Sequence, residues 1–145
     1  VYALVMRLDR QQRIQVGQLG RFHFNTGTYV YVGSAWGPGG LAARIGRHLR
    51  SLKKCRWHID YLRRHARIKE IWVGCYRPNV EHLWAGIFAD LTGGAVPAEN
   101  FGSSDCRCSA HLFYLPDTLS VQRFNRAVNR RLPGNPRAHI WSVIN

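Results

Sequence analysis

Acidic side chains are scarce in this chain. Eight of its 145 residues are Asp or Glu against 21 Lys and Arg, which gives a formal net charge of +13 and a pI near 10.6. Lysine is scarce as well: Lys53, Lys54 and Lys69 are the only three, and the other 18 basic residues are arginine. Such an excess repels itself unless a polyanion relieves it, and the guanidinium fork fits phosphate. DNA or another nucleic acid is therefore the expected partner. Long apolar runs are missing too. No stretch approaches the roughly 20 residues that span a bilayer, and no amphipathic basic helix dominates, so no membrane partner is expected. Val1–Leu8 is too short for a signal peptide and reads as a strand. Cysteine is limited to Cys55, Cys75, Cys106 and Cys108. Cys106 and Cys108 are too close for an ordinary structural disulfide, so a reducing, cytoplasmic setting is expected.

What is present is globular: 46% of the residues are hydrophobic, and the length suits one domain over residues 1–145. Val1–Leu8 is β-prone and Arg10–Arg13 is turn-like. Ile14–Leu19 and Arg21–Asn25 alternate in part, and Thr28–Gly33 is rich in Tyr and Val. This first third predicts one curled antiparallel sheet of three or four strands. Trp36–Gly40 is a breaker cluster, hence a loop. Leu41–Leu52 follows helical spacing with Leu41, Ile45 and Leu49 on one stripe and Arg44, Arg47, His48 and Arg50 around the rest. A helix is predicted over Trp57–Arg64, a strand over Ile68–Tyr76 and a helix over Val80–Leu91. A loop follows over Thr92–Asn100, then a strand over Ser109–Leu115. A last helix over Leu119–Leu132 ends at Pro133–Pro136. Sheet first and mixed elements after predicts an α+β fold, a small antiparallel sheet flanked by helices with an additional N-terminal hairpin.

The few acids narrow the chemistry. A phosphodiester nuclease needs carboxylate oxygen for a hard cation such as Mg²⁺. Asp9 and Asp117 sit in turn-like contexts and Glu99 in a Pro/Gly-rich loop. Glu81 opens a predicted helix, where a carboxylate also serves simply as a favourable charge at the N-terminus. Arg44 and His48, four apart, share a helix face. An arginine can hold a phosphate and a histidine can orient water or take a proton; with Arg47 and Arg50 beside them, the same helix reads equally as a basic face along a phosphate backbone. Cys106-x-Cys108-x-x-His111 offers soft ligands for zinc, with Cys75, Cys55 or His58 as a fourth. On a single strand, however, the two thiols would face away from His111. Buried free thiols are the simpler reading, and no structural zinc is expected.

Tyr31-Val32-Gly33, followed by Leu41-x-x-Arg44-x-x-x-His48, resembles the second half of the GIY-YIG nuclease signature and its arginine-bearing helix. More narrowly, four segments resemble the subfamily catalogued as domain of unknown function 123. They are Gly27–Ser34, Arg44-x-x-Arg47-His48, Trp57–Leu62, and Phe101–Cys106 with His111–Tyr114. The likeness spans roughly residues 1–115. Gly27-Thr28-Tyr29 mimics the first half-motif, but Tyr29 and Tyr31 share a strand. The first half is therefore assigned to Val1-Tyr2-Ala3, its glycine preceding Val1.

The resemblance implies a GIY-YIG-like fold and a metal-dependent endonuclease that hydrolyses DNA. Tyr2 and Tyr31 would line the active site, Arg44 would bind the scissile phosphate, and His48 would take the neighbouring acid–base role. Glu81 would ligate a single Mg²⁺ or Mn²⁺. Gly33, Ser34, Arg47, Arg50, Lys53 and Lys54 would contact the nucleic acid. Asp60 would pair with an arginine. The family's later asparagine has no clear counterpart; Ser104, Asp105 or His111 stands near its place. Members occur alone or joined to endonuclease III-like repair proteins, which implies a DNA-repair partner or fusion and leaves the oligomeric state open. Two other functions compete: a non-catalytic DNA- or RNA-binding module on the same scaffold, and a zinc-stabilised interaction domain.

Overall fold

A computed structural model describes residues 1–74, 77–93, 95–115, 119–134 and 137–142. Four strands come first: β1 (Tyr2–Leu8), β2 (Gln12–Val16), β3 (Gly20–Phe24) and β4 (Gly27–Gly33). Then come α1 (Gly40–Leu49), α2 (His58–Arg63), β5 (Arg67–Val73), α3 (Val80–Leu91), β6 (Leu112–Leu115), α4 (Val121–Arg131) and β7 (His139–Ser142). The α+β expectation is met. β6-β4-β1-β5-β7 form a five-stranded antiparallel sheet, and β2-β3 form a separate two-stranded one. The first third is thus not one sheet: β1 and β4 pair directly, and the hairpin between them stands apart. The last strand among the described residues, β7, was not anticipated. Of the predicted Ile68–Tyr76 strand, Cys75 and Tyr76 lie outside the described residues, as do Asp117 and part of the Pro133–Pro136 stop.

β1 is central and covered on both faces, which explains the apolar run from Val1 to Met6. Its odd positions Val1, Ala3 and Val5 enter one core with Trp72, Phe88 and Phe124, under α3 and α4. Its even positions Tyr2, Leu4, Met6 and Leu8 enter the other with Tyr29, Tyr31, Ile45, Ile59 and the β2-β3 hairpin. On the first side Phe88 stacks on Phe124 with centroids 4.5 Å apart. On the second, α1 turns Ile45 and His48 inward while Leu49 is exposed. The inward face is therefore rotated from the expected Leu41-Ile45-Leu49 stripe, and His48 lies on it. The loop before α1 can turn so sharply because Gly37, Gly39 and Gly40 take φ of +114°, +78° and +56°, a region closed to most side chains. No helix of the described residues is long and apolar enough to cross a membrane.

Candidate functional site

The β1-β4 register sets Tyr2 opposite Gly33. Gly33 is required by space: a Cβ there would overlap the Tyr2 ring. That open slot lets the Tyr2 hydroxyl reach His48 Nε2 on α1 at 2.7 Å. Tyr31 lies on the same face, its ring edge-on to His48 with centroids 6.1 Å apart. Burial, reinforced by the neighbouring phenol of Tyr31, raises Tyr2, so it stays a protonated phenol; burial raises Tyr31 too. Burial, aided by the Lys53 charge, lowers His48 to about 3. Its imidazole is therefore neutral at ordinary pH and resists protonation while the site stays as it is.

Trp57 underlies this group. Its ring lies 5.6 Å from that of His48, and the guanidinium carbons of Arg44 and Arg47 sit 5.2 and 4.7 Å from its centroid. Asp60 holds the base of the assembly. Its carboxylate meets Arg47 at 2.5 Å and Lys53 at 2.9 Å and accepts the backbone N–H groups of Arg56 and Trp57. Burial alone would raise Asp60, but these donors outweigh it and hold the carboxyl at about 2. Arg63 donates to the carbonyl oxygen of His48 from two nitrogens, at 3.3 and 3.2 Å, fixing the end of α1.

Above them opens a cavity of about 680 Å³ whose walls include Tyr2, Tyr31, Gly33, Ser34, Arg44 and Glu81. Arg44 donates to the carbonyl of Trp36 at 3.2 Å, and the indole of Trp36, 66% exposed, stands at the rim. On the far wall, His82 in the first turn of α3 meets Cys106, Cys108 and His111. One ligand atom from each lies within 4.8 Å of all the others. Cys106 Sγ is 3.4 Å from His111 Nε2 and Cys108 Sγ is 3.3 Å from His82 Nδ1.

Residues 1–132 match the model of a family described as Domain of unknown function DUF123. The chain belongs to that family. No curated protein and no solved structure gives a match.

The DUF123 chain thus brings eight of the sequence-predicted residues (Tyr2, Tyr31, Gly33, Ser34, Arg44, Glu81, Cys106 and His111) to the walls of one cavity, with His48 fully buried behind Tyr2. Tyr29 is elsewhere: its hydroxyl donates to the carbonyl of Asn25 at 2.7 Å. Arg47 and Lys53 are engaged by Asp60 rather than directed at the cavity, and Arg50 and Lys53 border a second, basic cavity of about 790 Å³ with Arg63, Arg64 and Arg67. Lys54 is exposed and offers its carbonyl to Arg47.

The expectation of one Mg²⁺ or Mn²⁺ ion and no zinc in this DUF123 chain is overturned by the His82-Cys106-Cys108-His111 cluster. Two thiols and two imidazoles make a soft, zinc-type donor set rather than the oxygen-rich one hard cations take. The mistake lay in weighing the motif as if residues 106–111 shared one strand, and in starting the strand at Ser109. They are irregular: Cys106 N–H bonds back to the Ser103 carbonyl, and β6 starts only at Leu112. The chain bends, and His111 swings to the side of the thiols. Of the fourth ligands considered, Cys75 lies outside the described residues, and His58 instead accepts the Gly102 N–H at 3.0 Å. His82 was missed because its 24-residue separation from Cys106 follows no ligand spacing; its only sequence mark is its place beside Glu81.

Proposed function

We propose that this cavity binds the phosphodiester backbone of DNA and hydrolyses it, as a GIY-YIG-type nuclease active in DNA repair. The observation that carries the reading is the meeting of Tyr2 and Tyr31, from adjacent strands, with Arg44 one helix later in a chain of charge +13. The Tyr2–His48 pair gives a route for a proton. Water beside Tyr2 attacks phosphorus and gives a proton to the Tyr2 oxygen as the phenol proton moves on to His48, so Tyr2 stays a phenol. The P–O bond to the leaving sugar oxygen breaks, that oxygen takes a proton from solvent water, and Arg44 offsets the charge that develops on the phosphoryl oxygens. A phosphate in the cavity brings negative charge near His48 and so favours its protonation at that step. The second basic cavity, with Arg50, Arg63, Arg64 and Arg67, extends the track for the strand.

One observation favours a second reading, a binding module without cleavage. Glu81 is not among the clustered metal-ligating residues; its carboxylate lies 3.7 Å from His82 Nε2. A plasmid-nicking assay separates the two. Purified chain is expected to bind duplex and single-stranded DNA in a salt-dependent way and to nick supercoiled plasmid. Arg44→Ala should lose nicking, weaken binding and reduce the salt slope by about one. Salt-sensitive binding with no nicking on plasmid, branched or single-stranded DNA would leave the binding module. Affinity indifferent to salt would remove both.

A further inference from the structure

We propose that His82 Nδ1, Cys106 Sγ, Cys108 Sγ and His111 Nε2 bind one zinc ion as a closed four-ligand site, with Glu81 as the carboxylate that orients His82. The site stands independently of the phosphodiester reading, because it rests on a different cluster.

Geometry is the first argument. Zinc–sulfur bonds of about 2.3 Å and zinc–nitrogen bonds of about 2.0–2.1 Å place tetrahedral ligands about 3.3–3.8 Å apart. The two sulfur–nitrogen contacts, at 3.4 and 3.3 Å, fall in that range, and the whole set spans no more than 4.8 Å. Only small side-chain rotations are needed to close the tetrahedron.

The surroundings of the two rings are the second argument. His111 Nδ1 lies 3.2 Å from the carbonyl of Val32. Donation there fixes the tautomer that leaves the Nε2 lone pair facing Cys106. On His82, Nδ1 faces Cys108, while Nε2 lies 3.7 Å from the Glu81 carboxylate, ion-pair distance rather than a hydrogen bond, so Glu81 has to draw closer when the ion binds. Metal-bound histidines usually hand their other nitrogen to a carbonyl or carboxylate in this way. Two thiolates would also neutralise the cation in a chain that carries few other acids to do so.

Four protein ligands leave no open position, so the role is structural. The ion would tie the first turn of α3 to the irregular segment between Asn100 and β6. That segment is also held by backbone bonds, such as Asn100 N–H to the Ser109 carbonyl and His111 N–H to the Phe101 carbonyl, by Gly102 N–H on His58, and by the buried ring of Phe101, but none of these reaches Cys106 or Cys108 from α3. Through His111 and Val32 the tie reaches the residue before Gly33. The ion would thereby fix the cavity wall that carries Glu81, Gly102 and Asp105.

The test uses the full chain purified under reducing conditions without a polyhistidine tag. Elemental analysis is expected to find about one zinc per chain, and cobalt(II) substitution to give the intense thiolate-to-metal band of a tetrahedral S₂N₂ site. Cys108→Ser and His82→Ala should hold less than about 0.1 equivalent. Because such variants can fail to fold, wild-type chain is also stripped with a chelator and reloaded. Its melting temperature should fall on stripping and recover with zinc. Glu81→Gln should bind zinc about 10–100-fold more weakly in competition with a chromophoric chelator, with partial recovery in Glu81→Asp. Wild-type chain that retains under about 0.1 equivalent after reloading, or that gives octahedral cobalt without a thiolate band, overturns the site. Unchanged affinity in Glu81→Gln overturns the role of Glu81. DNA binding, measured separately, decides neither.

Discussion

Asp60 is fully buried and carries the charge balance beneath the cavity. Its carboxyl is held at about 2, against an ordinary value of 3.8. A depressed carboxyl stabilises the fold above its unfolded value, and that contribution is lost as pH falls through the folded value. The window is therefore pH 4 down to 2. The shift corresponds to about 2 kcal/mol at pH 7, falling to about 1 kcal/mol at pH 3. Asp60→Asn preserves shape but removes the charge. It should lose at least this amount at pH 7, and more where Arg47 and Lys53 are left without a counter-charge, since breaking a buried pair costs about 3–5 kcal/mol. Urea denaturation of both proteins at pH 7, 4 and 3 reads the difference directly. The gap should narrow as the pH drops, because the wild-type carboxylate is being protonated. A gap under about 0.5 kcal/mol at pH 7, or one that stays constant down to pH 3, refutes the assignment of Asp60 as the charged anchor.

Gly33→Ala places a methyl group in the Tyr2 ring and should push the phenol off His48. Overpacking of this kind costs about 1–3 kcal/mol, or a melting temperature lower by about 3–10 °C for a chain of this length. A shift under about 1 °C with DNA affinity intact would show that the slot is not needed. Trp36 stands exposed at the cavity rim, where an indole can stack on an unpaired base. Trp36→Ala should weaken single-stranded DNA binding by about 1–3 kcal/mol, roughly 5–150-fold, and leave duplex binding nearly unchanged. Equal losses on both substrates, measured by fluorescence anisotropy, would count against stacking.

Much of the chain's local structure was legible because it follows a period. Val80–Leu91 shows helical spacing over twelve residues, and the helix occupies that range. β1 was readable from its apolar run, although the reason for the run, burial on both faces, needed α3 and α4 on one side and α1 and α2 on the other. Sheet membership was legible only in part: the expected additional N-terminal hairpin is β2-β3, but the reading of the first third as one curled sheet did not set it apart from β1 and β4. β2 and β3 look like β4 in sequence yet pair only with each other. β7 has four residues and no pattern of its own; its partner β5 makes it a strand.

The candidate site divides along the same line. Tyr2, Gly33, Arg44 and His48 were named from sequence because short motifs fix their identity and order. Composition, too, pointed by itself to a polyanionic partner. What the tertiary structure decided is distance. It put Tyr2 across from Gly33, buried His48 behind the phenol rather than in the cavity, and engaged Arg47 and Lys53 with Asp60. It also gathered His82, Cys106, Cys108 and His111, which no period connects. Residue type and local spacing are properties of the chain, so sequence determined the chemistry available. Convergence of segments 24–29 residues apart depends on an irregular turn whose path is set by packing, so only the folded structure determined which metal chemistry the chain can hold.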